Sequence, residues 1–233
     1  MRDFNSILIF GGLGFIGSEY ILKVIKHFPN AKIMNIDVQN YSTSLKTKAL
    51  LDTIENYSYQ KGDIRDKHSV DAAFKGCRPD LVVNFAAESH VDNSIEDSEI
   101  FIDTNIKGTF NILESLRHMQ NDGLSCILHH ISTDEVFGDL DIDDSIKFSE
   151  ATPYDPSSPY SSSKAASDHL IRAWGRTYNI NYLITNCSNN FGPRQYSEKL
   201  IPKAIDLLSK DQKVPIYGNG KNVRDWIYVG EHV

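Results

Sequence analysis

A chain of 233 residues with 40% hydrophobic and 24% charged content can bury a sizeable core, as one large domain or one plus a smaller portion. Its net charge of -7, with Lys and Arg scattered, argues against nucleic acid as a partner, and no apolar run approaches the ~18 residues of a bilayer span. Arg2 and Asp3 precede a strand-like run with no signal peptide, so the expected compartment is cytoplasmic; Cys77, Cys126 and Cys187 lack CxxC or His spacing and read as reduced thiols, with no metal expected.

Ser6 to Phe10 reads as a short apolar strand running into Gly11-Gly12-Leu13-Gly14-Phe15-Ile16-Gly17, after which Tyr20, Ile21, Val24 and Ile25 recur at helical spacing. Glycines permit a tight turn and let backbone N–H groups approach a phosphate, which the helix N-terminus also favours. Ala31 to Ile36 forms a second strand, and Asp37 follows it where an acid would bond an adenosine ribose hydroxyl. Such an acid repels a 2'-phosphate and no Arg follows in Val38-Gln39-Asn40, so the pattern points to NAD rather than NADP.

Tyr57 to Gln60 reads as a third strand, followed by Gly62-Asp63-Ile64 and a helix from Asp66 to Lys75; Asp63 could bond an adenine amino group or cap that helix. Leu81 to Phe85 is a fourth strand ending in Ala86-Ala87-Glu88-Ser89-His90, whose two alanines suit close approach of a ligand and whose His90 reads as a loop residue. Ile106, Phe110, Leu113 and Leu116 predict a sheet-covering helix over Asp103 to Met119, with Asn105 out of place on that face. This alternation predicts an α/β fold, a doubly wound parallel sheet of the Rossmann type.

Leu124 to Ile131 is a buried strand whose end carries Ser132-Thr133-Asp134-Glu135, and ligands of such sheets lie beyond the carboxyl ends of the strands. A solvated turn is the alternative for the two acids. Asp139 to Asp144 with Glu150 nearly matches a calcium loop, but Asp144 stands where the loop needs Gly, so an exposed acidic loop is expected. Pro156 to Pro159 then breaks the chain before Tyr160-Ser161-Ser162-Ser163-Lys164, and Ala166, Leu170, Ala173 and Trp174 keep helical spacing. Tyr160 and Lys164 therefore share one helix face, one turn apart, where an ammonium would lower the phenol's pKa for proton transfer.

The glycine pattern with Tyr160 and Lys164 resembles the extended short-chain dehydrogenase/reductase superfamily. More narrowly, the runs from Ala86 to Asp92, Ser132 to Val136, Asn186 to Pro193, Glu198 to Pro202 and Arg224 to Trp226 look like those of 4,6-dehydratases of the dTDP-glucose type. The resemblance implies a hydro-lyase in a homodimer that pairs the Asn105 and Tyr160 helices. It implies a cofactor site of Gly11, Gly14, Phe15, Ile16, Gly17, Asp37, Asp63, Ile64, Ala86, Ala87, Tyr160 and Lys164 that takes NAD. Thr133, Asp134, Glu135, Tyr160 and Lys164 would be catalytic, with Tyr160 the base at the C4 hydroxyl, Glu135 the C5 base and Asp134 the acid at C6. Ser89, Asn189, Asn190, Glu198, Lys199, Leu200, Pro215, Tyr217 and Arg224 would bind a nucleotide-diphosphate sugar, Tyr217 stacking on the pyrimidine. Phe10 replaces a usual Thr and Phe137 a usual Tyr. Family members continue beyond the length of this chain, so residues 1–190 are expected to form the NAD-binding domain and 191–233 only the start of a smaller substrate domain. A nucleotide-sugar epimerase or decarboxylase, and a silent NAD-binding regulatory protein, are the competing readings.

Overall fold

Ile7, Leu8, Ile9 and Phe10 are all fully buried, which a strand achieves only at the centre of a sheet covered on both faces. The computed structural model describes residues 3–40, 43–141, 146–216 and 218–233. Its first half alternates regularly: β1 (Ser6–Phe10), α1 (Phe15–His27), β2 (Lys32–Asp37), α2 (Leu45–Leu51), β3 (Tyr57–Lys61), α3 (Lys67–Cys77) and β4 (Leu81–Asn84). Then come α4 (Val91–Glu96), the single turn α5 (Glu99–Phe101), a π-helical turn over Ile102–Lys107, α6 (Gly108–Asn121) and β5 (Ile127–Thr133). A 3₁₀ turn at Asp134–Phe137 follows, then α7 (Pro159–Tyr178), β6 (Asn181–Cys187), β7 (Asn189–Phe191), α8 (Leu200–Ser209), β8 (Trp226–Tyr228) and α9 (Val229–His232).

Six strands pair in parallel in the order β3-β2-β1-β4-β5-β6, the doubly wound sheet that the alternation predicts, and β7 pairs with β8 in a separate two-stranded ribbon. Leu8, Phe10, Val82 and Leu128 point to one face and pack under Val70, Phe74, Ile112, Leu113, Leu116 and Ile171; Ile7, Ile9, Ile33 and Val83 point to the other and pack under Ile21, Val24 and Leu51. Strand order reverses between β1 and β4, so a crevice opens at the carboxyl ends of those two strands.

Several sequence expectations shift in detail. β5 begins at Ile127 and carries Ser132 and Thr133 inside the strand, because their backbones pair with Asn186 and Cys187 of β6. Phe110 is 40% exposed, not core-facing. The π turn ahead of α6 inserts an extra residue per turn, which rotates Asn105 into the core and Phe110 out of it. The largest departure is α7, where Ala166, Leu170 and Trp174 are only half-buried and Ala173 is exposed. Its buried face is Tyr160, Ser161, Ser163, Lys164, Ala165, Ser167, Asp168 and Ile171, a mostly polar stripe. Of the acidic loop after Gly138, residues 142–145 lie outside the described residues. Among the described residues no helix is long and apolar enough to cross a membrane, and all three cysteines are free.

Candidate active site

The glycine turn shows why side chains are excluded there. Gly11 has φ of 78°, and a Cβ on it would stand 2.5 Å from the Ala86 backbone nitrogen at the end of β4. A Cβ on Gly17 would meet the Gly11 carbonyl at 2.5 Å, so α1 can press against the turn only without one. Phe15 and Ile16 open α1, whose N-cap Gly14 contributes no side-chain bond, leaving the first amides and the helix dipole facing the crevice.

Beside this turn lies a cavity of about 490 Å³ lined by Gly11, Gly14, Asp37, Asp63, Ile64, Ala86, Ala87 and neighbouring residues. Asp37, at the end of β2, accepts hydrogen bonds from Leu13 N (2.9 Å) and Gln39 N (2.8 Å). Burial pushes its carboxyl up, against the pull of those two amides. Asp63 does not cap α3, since Asp66 does so by accepting from His68 N (3.0 Å). Instead Asp63 accepts from the Arg65 backbone and guanidinium, at 2.6–3.1 Å. Lys61 at the end of β3 and Arg65 in the loop after it also line the cavity, two cations that lie far in sequence from the residues after Asp37.

The chemical end of the crevice is built by β5, the acid turn and α7. Thr133 ends β5; its hydroxyl donates to Asp134 Oδ1 (3.3 Å) and accepts from Glu135 N (3.3 Å). Buried Val136 anchors the turn, and its carbonyl accepts from Asp155 N (3.0 Å). The backbone of the turn is thus fixed, and both acids are half-buried. Both carboxyls are pushed up by burial; around Glu135 the charge of Asp134 adds to this while Arg224 and Lys199 oppose it, and around Asp134 the Thr133 hydroxyl opposes it while Asp225 adds to it.

Tyr160 enters from the start of α7, a helix whose capping box pairs Ser158 and Ser161. Its amide donates to Ser94 Oγ (3.2 Å) and its ring sits edge-on to Phe101. Tyr160 and Lys164 are both buried and one turn apart, as the spacing predicts. The expected lowering of the phenol is not found. Burial holds its pKa well above the ordinary value, Glu135 adds to this, and the neighbouring Thr133 hydroxyl opposes it. The Lys164 ammonium donates to Ile131 O (2.8 Å) and lies 3.3 Å from His130 Nε2.

The other sequence candidates are less closely gathered. Lys199 is half-buried and Arg224 exposed, both near enough to Glu135 to act on its charge. Asn190 is turned inward, donating to Ser188 O (3.0 Å) while its oxygen meets His232 Nδ1 (2.9 Å). Asn189 pairs with Trp226 on the ribbon, and Ser89, Glu198, Leu200 and Pro215 are exposed. Tyr217 lies outside the described residues. Phe10 packs near Phe74, and Phe137 lies against Phe148 and Tyr154, so both replacements are packing residues.

Sequence reading missed Asn84, His130 and Asp168, and it singled out Asn105 without a role. Asn105 accepts from Glu88 N (2.9 Å) and donates to Glu88 O (3.0 Å) and Ser163 Oγ (2.8 Å), tying the loop after β4 to α7. Asn84 and His130 were signalled only as polar residues inside apolar strands.

Comparison with known proteins agrees with this geometry. Residues 8–233 match the family described as GDP-mannose 4,6 dehydratase. The chain is 46% identical to a dTDP-glucose 4,6-dehydratase of Neisseria gonorrhoeae, covering 98% of this chain and 67% of that protein. It is 44% identical to one of Mycobacterium tuberculosis, covering 97% and 66%. Among solved structures, a Streptomyces venezuelae dTDP-glucose 4,6-dehydratase crystallised with NAD superposes with a TM-score of 0.89 at 37% identity, over 97% of this chain and 69% of that one. A Thermus thermophilus UDP-glucose 4-epimerase in complex with NAD gives 0.86 at 27%, over 97% and 71%. The chain spans about two thirds of the length of the curated relatives it matches. With the doubly wound sheet, the glycine turn and the Tyr160–Lys164 helix in register, the chain belongs to the GDP-mannose 4,6 dehydratase family of the short-chain dehydrogenase/reductase superfamily.

Proposed function

We propose that the protein to which this chain belongs dehydrates a nucleotide-diphosphate sugar of the dTDP-glucose type to its 4-keto-6-deoxy form, as a cytoplasmic homodimer that uses NAD. The cradle fits that cofactor: Gly11 admits no Cβ against Ala86, α1 presents uncapped amides, and Asp37 stands at the far wall where an adenosine ribose would lie. When bound, NAD supplies a hydride acceptor for C4 and the hydride that returns to C6.

The chain's own residues divide the proton work. Tyr160 takes the C4 hydroxyl proton, with Thr133 bonding the same region, and Lys164 holds the end of β5 against α7. Oxidation at C4 acidifies the C5 proton, which Glu135 removes while Asp134 protonates the departing C6 hydroxyl. The observation that carries this reading is the placement of two half-buried acids in one turn that follows Thr133 of β5 and packs against α7, the helix of buried Tyr160. Lys199 and Arg224 favour the carboxylate a base requires at Glu135, against the opposing charge of Asp134. Residues 191–233 are read as the start of the sugar-nucleotide-binding portion.

Glu135→Gln in the full-length protein tests the assignment. With dTDP-glucose and NAD, oxidation at C4 proceeds and elimination stalls, so bound reduced cofactor accumulates. Deuterium uptake at C5 from heavy water falls on the order of 10²-fold, the usual worth of a positioned base. Unchanged dehydration and exchange would refute the role of Glu135. A Tyr160→Phe defect without any Glu135 effect would instead identify an epimerase.

A further inference from the structure

Behind the site lies a buried polar cluster that the proposed chemistry does not use. Asp168, one turn beyond Lys164 on α7, is completely buried. Its Oδ2 accepts from Ser132 Oγ (2.7 Å) and from the Tyr154 hydroxyl (3.0 Å). Its Oδ1 makes no hydrogen bond, and His130 Nε2 lies 3.6 Å from it. On its other side His130 Nδ1 lies 3.2 Å from Asn84 Nδ2, and His130 Nε2 also stands 3.3 Å from the Lys164 ammonium, so the ring separates Lys164 from Asp168 Oδ1. Burial and the nearby ammonium keep this imidazole neutral.

We propose that Asp168 is a positioning residue: its carboxylate is the buried counter-charge of Lys164, reached across His130, and the clamp that joins the Thr133–Asp134–Glu135 end of β5 to the Tyr160–Lys164 face of α7. Three observations converge on this. A fully buried ammonium needs an opposite charge, and of the groups facing Lys164 (Asp168 on its own helix, His130 on β5 and Cys187 on β6) only Asp168 is a carboxylic acid, burial pushing the Cys187 thiol up to about 11. Attraction between Lys164 and Asp168 opposes the burial that drives each toward its neutral form. Ser132, which the carboxylate holds, is the residue before Thr133. Tyr154, which it also holds, packs on Phe137 at the end of the acid turn and accepts from Arg172 (3.0 Å). One carboxylate thus fixes both halves of the site without touching a reacting atom.

The kinetic part of the test rests on the dehydratase reading, so a readout free of substrate accompanies it. Asp168→Asn keeps the shape and removes the charge. In the full-length protein, kcat for dTDP-glucose is expected to fall on the order of 10²-fold, the effect of a misplaced catalytic group, with KM within about threefold of the wild-type value. In the same protein without substrate, the ¹⁵N signal of the Lys164 ammonium is expected to disappear about one pH unit or more lower than in the wild type. Either readout at its wild-type value overturns the proposal. A wild type that makes no 4-keto sugar overturns the dehydratase reading, and the ammonium signal then still decides the role of Asp168. Should Asp168→Asn not fold, Ser132→Ala carries the test, because it removes one bond to the carboxylate and leaves the charge. About a tenfold loss of kcat is expected, equivalent to one ordinary hydrogen bond, and unaltered turnover overturns the clamp.

Discussion

Asp37 illustrates how one carboxylate can hold a loop and select a ligand. Two amides, Leu13 N and Gln39 N, point at it from either side, and its remaining surface faces the cavity. Asp37→Ala is expected to weaken NAD binding by about tenfold or more, the worth of a hydrogen bond to a charged acceptor. It is also expected to narrow the preference over NADP, because Lys61 and Arg65 line the same wall and would attract a 2'-phosphate once the repelling acid is gone. Titration calorimetry with both dinucleotides checks this, and equal NAD affinity before and after would remove Asp37 from the site. At this scale the residues that sequence made legible are those whose meaning lies in local spacing: the glycines, Asp37 after its strand, Tyr160 and Lys164 one turn apart. His130 and Asp168 were not legible because each acquires its partner from another element. Thirty-eight positions separate them in the chain, and only the docking of α7 on β5 makes them neighbours.

Among the elements, α7 owes its start to Ser158, whose Oγ accepts from Ser161 N (3.0 Å) while Ser161 Oγ accepts from Ser158 N (2.9 Å), and Pro159 fits the first turn. Ser158→Ala is expected to cost about 1 kcal/mol, lowering the melting temperature by roughly 2–4 °C for a chain of this size. An unchanged thermal transition would mean that the tertiary contacts of Tyr160, not the cap, fix the helix start. The existence and order of β1 to β5 and of α1, α3, α6 and α7 followed from apolar periodicity, whereas α2, α4, β6 and the β7–β8 ribbon were not read from it. Periodicity failed where the helix departs from α geometry, as at Ile102–Lys107, and where the buried face is polar, as along α7. It has no way to register a serine or lysine that is buried because a partner awaits it.

For the molecule as a whole, the exposed flank of α6 and α7 bears on assembly. Phe110, 40% exposed, meets Trp174 edge-on at 6.0 Å, and Tyr178 packs against the same indole at 5.7 Å. Aromatic surface of this kind at the outer side of two helices supports the proposed pairing of these helices between subunits. Sedimentation of the full-length protein at micromolar concentration is expected to give twice the chain mass, and Phe110→Asp is expected to give monomers. A monomeric wild type would count against that assembly. The ribbon of β7 and β8 reaches back to α1 through α9 and the segment after β7: Lys23 of α1 donates to Gly230 O, and Arg194 pairs with Glu19. The helix that presents its N-terminus to the cofactor crevice is therefore braced along its flank by Gly230 and Arg194.

The polar stripe of α7 has a further consequence for the tolerance of the fold to error. A helix docked through leucines can slide or turn slightly and find nearly equivalent contacts, since one methyl group serves about as well as another. A helix docked through Ser163, Lys164 and Asp168 has one seating in which these groups meet their partners on other elements, and a rotation by a single residue strands them at once. The surface that costs most to bury is thus the one that admits no approximate answer, and Tyr160 sits at its head.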